Sequence, residues 1–212
     1  MKKLQTNNRV FWAFGIIFLC LFARPSVGAD NSFFEFKDAI GLGAELDGVF
    51  AGGYGGGAIV LGGFKQTAEQ RIANYSVFVL SGGADAWEEL PALEHHVYGG
   101  AAVSSSEGLI CIGGYKDGAI SRDVICYTVE KGRLKSKPMP QLPVEIAGVK
   151  AALASSRIYA IGSEAAYSLD LLSNDRKWNK LESWLPIEGE ITAAAAVSGE
   201  LYVFTRDNGF NV

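Results

Sequence analysis

Charge, cysteine, proline and histidine are all scarce in this chain. Charged residues make up 20% of its 212 positions, and there are only 3 cysteines, 6 prolines and 2 histidines. So few cysteines exclude a disulfide-stapled miniprotein, and their spacing matches no zinc site. The small charge balance is acidic, with a formal net of −4, which leaves no electrostatic footprint for nucleic acid. Such a surface also repels anionic ligands unless a local basic site overrides the field. Ser-His-Asp spacing, phosphate loops and metal clusters are absent from the pattern, so no metal or organic cofactor is expected. What is abundant is glycine, at 26 residues, within a chain that is 49% hydrophobic. Glycine at that level without a collagen period signals many tight turns and crowded strand ends.

The first residues read as an export leader rather than as fold. Lys2, Lys3 and Arg9 precede an apolar run from Val10 to Ala23, of signal-peptide length and short for a membrane span. Ser26-Val27-Gly28-Ala29 then offers small residues where a signal peptidase reads, so residues 1–29 are taken as a signal peptide cleaved after Ala29. A retained N-terminal anchor is the alternative; a lipoprotein at Cys20 is disfavoured by the bulk of Leu19. Removing four basic residues and no acidic one takes the net charge from −4 to −8. The expected location is periplasmic or secreted, with no membrane attachment after cleavage.

A period near fifty residues emerges when the glycine pairs are aligned. Ala58-Ile59-Val60-Leu61-Gly62-Gly63 returns as Leu109-Ile110-Cys111-Ile112-Gly113-Gly114, and again as Arg157-Ile158-Tyr159-Ala160-Ile161-Gly162. Each unit carries four short β segments, with Trp87 and Trp178 in the last segment of the first and third units. Four strands per repeat make one propeller blade, and a blade buries its faces only by stacking on neighbours. The units run about 48–94, 95–143, 144–187 and 188–212, and residues 30–212 form a partial propeller. Its outer-strand tryptophans and third-strand tyrosines are expected to fill the seams between blades. Phe33 to Asp38 is a candidate for the outermost strand of a closing blade.

These segments resemble the kelch repeat. More narrowly, Gly48 to Gly63, Tyr98 to Gly114, Asp123 to Tyr127 and the Leu-Pro pairs at 90–91, 142–143 and 185–186 are similar to the cyclically permuted mutarotase group, related to N-acetylneuraminate epimerase. The resemblance implies an all-β kelch-type β-propeller, here about three and a half blades of a six-bladed wheel. It implies mutarotase chemistry on a sialic acid, with a small sugar as the partner. The chain departs from the family's pattern at Phe64-Lys65-Gln66-Thr67, at Gly162-Ser163 and at Thr205. Open blade edges also invite self-association.

Blade topology sorts residues by face. Connections between second and third strands share one rim with connections between blades, and this rim receives Arg71, His95, His96, Arg122 and Arg206. Glu69, Glu94, Asp117, Glu145, Glu164 and Glu188 join them. Histidine can shuttle protons, so His95, His96 and Glu94 are the candidate catalytic residues. Guanidinium groups grip carboxylates, so Arg71 and Arg122, in equivalent loops of successive blades, are the candidate substrate-binding residues. For each of these the plain alternative is a solvated loop residue. Cys111 and Cys126 lie about symmetrically around Asp117-Gly118. They are either a cross-strand disulfide or two buried free thiols. The functional expectation is interconversion of N-acetylneuraminate anomers. The alternative is a non-catalytic glycan- or protein-binding propeller, or an inactive remnant.

Overall fold

The computed structural model describes residues 40–206 except 185, 188, 198 and 199. The expected signal peptide, the strand expected at 33–38, and Glu188 lie outside the described residues. Every regular element among the described residues is a β-strand, and the chain is a partial β-propeller.

Three four-stranded antiparallel blades follow one another. Blade 1 orders Phe50–Tyr54, Gly57–Leu61, Val77–Leu80 and Glu88–Leu90. Blade 2 orders Ala101–Ser105, Gly108–Ile112, Val124–Glu130 and Arg133–Pro138, and blade 3 Lys150–Ala154, Arg157–Ile161, Ala166–Asp170 and Asn179–Lys180. Glu190–Val197 and Glu200–Arg206 pair as the first two strands of a fourth.

The second strands explain why the blades must stack. Alternate side chains on a strand point to opposite faces, yet all five residues of Gly108–Ile112 are buried. Leu109 and Cys111 pack with Phe50, Ile59 and Leu61 of blade 1. Ile110 and Ile112 pack with Ile158, Ala160 and Leu169 of blade 3. Each such burial is worth about 2 kcal/mol, and both faces gain it only between two neighbours.

Glycine sets the corners. Gly48, Gly99 and Gly148 adopt φ of +64°, +67° and +62°, each two residues before the inner strand of its blade. That is a left-handed conformation which side-chain-bearing residues rarely take.

The register excludes the cross-strand disulfide and leaves the alternative of two free thiols. Cys111 lies opposite Ile125 and Cys126 opposite Ile110, one residue out of alignment. A one-residue offset sends the two side chains to opposite faces. Cys111 therefore joins the seam with blade 1 and Cys126 the seam with blade 3, and both are free buried thiols. Burial pushes both thiols above their ordinary pKa. Tyr75, expected in a seam, stands before the third strand on the rim and is 41% exposed.

Candidate functional site at the blade 1–blade 2 rim

The connection leaving the second strand folds into a small rim hairpin in blades 1 and 2. In blade 1, Phe64–Gln66 pairs with Arg71–Ala73 and with Leu46–Asp47. In blade 2, Tyr115–Lys116 pairs with Ala119–Ile120 and with Val97–Tyr98. Gly62, at φ +68°, lets the first hairpin press against the entry to blade 2; a Cβ there would stand 2.2 Å from the Val97 carbonyl oxygen. The Gly63 amide donates to Val97 at 2.8 Å.

The pairing of Val97–Tyr98 with Tyr115–Lys116 brings His95, His96 and Asp117 together. His95 Nδ1 donates to Asp117 Oδ2 at 2.7 Å, and the His96 amide donates to Asp117 Oδ1 at 3.0 Å. The Asp117 amide returns a bond to the His96 carbonyl at 2.8 Å. The His96 amide first, and then the His95 ring, hold the Asp117 carboxyl below the usual carboxylate range. His95 is exposed, with its Nε2 directed away from this clasp. His96 differs: it is 7% exposed, and its Nε2 donates to the Gly63 carbonyl at 2.6 Å. Its ring stacks on Tyr98 at 4.8 Å and meets the Phe64 edge at 4.7 Å. As placed, His96 fastens the two blades.

The arginines do not converge. Arg71 pairs with Asp47 at 2.6 Å and lies 3.7 Å over the Phe64 ring. Arg122 donates to the Pro143 carbonyl at 3.1 Å. Their loops are equivalent, but their positions are not. Asn74 and Ser121 cap the same turn, through bonds from the amides of Ser76 and Asp123. That aligns Arg122 with Tyr75, because the loop of blade 1 is longer and Arg71 falls in the extra length. Likewise the Leu93 and Leu142 amides donate to the Tyr75 and Arg122 carbonyls, which aligns Glu94 with Pro143 and His96 with Glu145. Arg206 pairs with Glu190 on blade 4.

Beside this rim a cleft of about 600 Å³ opens between blades 1 and 2. Glu94 and His95 line it; Arg71, Arg122 and His96 do not. Its cations are Lys116 and Arg133, and Asp123 adds a second carboxylate. Burial opposes the charge on Asp123, but hydrogen bonds from Gln141 at 2.8 Å and Lys116 at 3.3 Å outweigh it and lower its pKa. Its apolar lining includes Phe50, Leu93, Val97, Cys111, Ile125 and Leu134. A cleft of this size with a few convergent polar groups suits a small ligand.

No family model and no curated protein matches the chain. Among solved structures it is similar to one titled "Structure of YjhT", with a TM-score of 0.61 and 15% identity over 76% of this chain. The likeness is one of fold. The chain spans 59% of that structure's length.

Several residues that shape the rim carry no motif. Phe64, His96, Tyr98 and Tyr115 form a continuous cluster in which Phe64 meets His96 and Tyr98 edge-on and His96, Tyr98 and Tyr115 stack, the last two at 4.9 Å and nearly parallel. In sequence Phe64 and Tyr115 read as loop residues, Tyr98 as an ordinary strand residue and His96 as a candidate proton shuttle. The available signal was their recurrence beside the glycine pairs, where Phe64 follows Gly63 and Tyr115 follows Gly114.

Proposed function

We propose that the chain interconverts the anomers of an acidic sugar of the sialic acid class at the mouth of the blade 1–blade 2 cleft. The observation that carries this reading is the His95–Asp117 pair at 2.7 Å, with His95 facing a cleft of about 600 Å³. The likeness in fold, and the sequence resemblance to the mutarotase group, supply the reaction class. Asp117 fixes His95 with Nδ1 as donor, which frees Nε2 to accept a proton. His95 takes the proton of the anomeric hydroxyl while the bond from the anomeric carbon to the ring oxygen breaks. The ring oxygen gains a proton from solvent or from Glu94, giving the open-chain ketone. Reclosure on the other face of the carbonyl reverses these steps. Lys116, rather than Arg71 or Arg122, stands where the sugar carboxylate can be met.

The test is NMR of freshly dissolved N-acetylneuraminate. Wild-type protein is expected to speed equilibration above the buffer rate, and His95→Gln to lose about a hundredfold of that gain. Equal rates with wild type and buffer overturn the reading.

A non-catalytic glycan-binding propeller is the second reading. It is favoured by the Arg71–Phe64–Tyr98–Tyr115 cluster, which offers aromatic rings and a cation at the rim, with His96 buried behind it and its Nε2 engaged by the Gly63 carbonyl. Saturable shifts of sugar resonances without anomer exchange select it. We further propose that the chain works after export, with Asp30 as the first mature residue, which intact mass of the secreted form checks. Self-association is supported by the outer edge of Glu200–Arg206, unpaired among the described residues, beside Tyr202 and Phe204 at 45% and 53% exposure. Light scattering over a concentration series tests it.

A further inference from the structure

The repeat can be followed rung by rung from each corner glycine. Five residues beyond Gly48, the rung runs Gly53, Ala58, Leu80 and then, one step past the last paired residues, Trp87. From Gly148 it runs Leu153, Ile158, Leu169 and, again one step past the last paired residues, Trp178. From Gly99 it runs Ser104, Leu109, Tyr127 and Ser136. The outer-strand tryptophan of blades 1 and 3 is thus a serine in blade 2.

Both tryptophans do the same thing. Trp178 Nε1 donates to the Pro140 carbonyl at 2.8 Å, and Trp87 Nε1 to the Ile40 carbonyl at 2.9 Å. Pro140 and Ile40 each stand eight residues before a corner glycine, Gly148 and Gly48. Eight residues before Gly99 stands Pro91. The blade 1–blade 2 seam therefore keeps the acceptor position of the motif and lacks the indole that uses it. Ser136 and Pro91 both line the cleft of about 600 Å³. In the next seam Trp178 occupies the corresponding place and is 9% exposed.

We propose that this cleft is a vacant indole slot, which binds a planar bicyclic ring carrying an N–H donor aimed at the Pro91 carbonyl. The rest of the receptor is already built. Tyr127 and Leu134 form the blade 2 wall, Phe50 and Leu93 the blade 1 wall, and Ile125 and Cys111 the floor. Packed protein rarely leaves apolar space of this size unused, and an aromatic ring gains both area and a hydrogen bond there. The slot stands whether or not anomer exchange occurs at His95, because its chemistry uses neither His95 nor Glu94.

The experiment is calorimetric titration of the purified chain with indole, tryptamine and a short tryptophan-containing peptide, with benzofuran as the isostere that lacks the N–H. Indole is expected to bind at one site, and benzofuran about fivefold to tenfold more weakly, the worth of one hydrogen bond. Ser136→Trp is expected to supply the ring in cis, abolish indole binding and raise the melting temperature. Intermolecular NOEs from indole to the Tyr127 ring in the wild type locate the ligand should that variant fail to fold. Binding of indole and tryptamine without the peptide marks a small-molecule slot, and peptide binding marks a partner's tryptophan; either supports the proposal. Absence of heat and of NOEs at millimolar indole overturns it. So does equal indole binding by wild type and Ser136→Trp, or equal affinity for indole and benzofuran.

Discussion

Blades 2 and 3 meet along a seam whose outer part is closed by Met139, Leu142 and Trp178. Blades 1 and 2 meet along a seam equally dry near the inner strands, where Phe50, Ile59, Leu61 and Leu109 are buried. Toward its outer edge that second seam opens into the cleft. On the rim opposite His95 each seam has one polar clasp. In the open seam the Tyr54 hydroxyl accepts from the Val129 amide at 2.7 Å and donates to the Val129 carbonyl at 3.0 Å. In the closed seam Arg176 grips Glu107 with two bonds, at 2.9 and 2.5 Å. The seams therefore share their inner-strand packing and differ toward the outer edge, where one is filled by Trp178 and the other opens into the cleft. This separates the contacts common to both seams from those that distinguish them, although Phe50, Cys111 and Tyr127 both build the core and line the cleft.

The largest test of that separation is to open the closed seam. Trp178→Ala removes a buried ring and leaves the Pro140 carbonyl without its donor, so it is expected to cost about 3–5 kcal/mol in urea unfolding. Trp87→Ala is expected to cost less, since Trp87 is only half-buried among the described residues. Equal costs would mean that burial in the seam is not what distinguishes the two rings. A smaller effect is expected at the open seam's clasp. Tyr54→Phe keeps the ring but strands a partly buried amide and carbonyl of Val129, for about 1–2 kcal/mol. A cost near zero would show that the open seam is held by its apolar packing and not by this clasp.

The blades were legible because glycine pairs and alternating apolar residues encode strand ends and faces directly. Ile110 and Ile112 against Leu109 and Cys111 is the pattern of a strand buried on both sides, and it needs no coordinates to read. Register was not legible to one residue. The strands carrying Cys111 and Cys126 pair about Gly118, whereas the two cysteines are symmetric about the point between Gly118 and Ala119, and that half-step decides which seam each thiol enters. The site was legible only as a rim. His95 and Asp117 fell on the predicted face, but the longer blade 1 loop carried Arg71 out of line with Arg122. His96, adjacent to His95, turned inward to bond Gly63. The cleft itself was written in the repeat as the tryptophan that unit two lacks; seeing it required the rung that joins Ser136 to Tyr127.

The smallest effect separates the two clasps by acid. Hydrogen bonds from Arg176 hold the Glu107 carboxyl below its ordinary pKa, against the opposing pull of partial burial. A carboxyl depressed in the folded state stabilises the fold above its unfolded pKa of about 4.3. That contribution drains away as pH falls through the lower native value, because the unfolded chain then binds protons first. Glu107→Gln is therefore expected to cost roughly 1 kcal/mol near neutral pH, a modest figure because both side chains remain more than a quarter exposed. The gap from wild type should close below about pH 4. Tyr54→Phe involves no carboxyl, so its cost should stay level from about pH 3 to about pH 7. Parallel pH profiles for the two variants would mean that the closed seam does not draw on the Glu107 charge, and that its advantage over the open one lies in Trp178 alone.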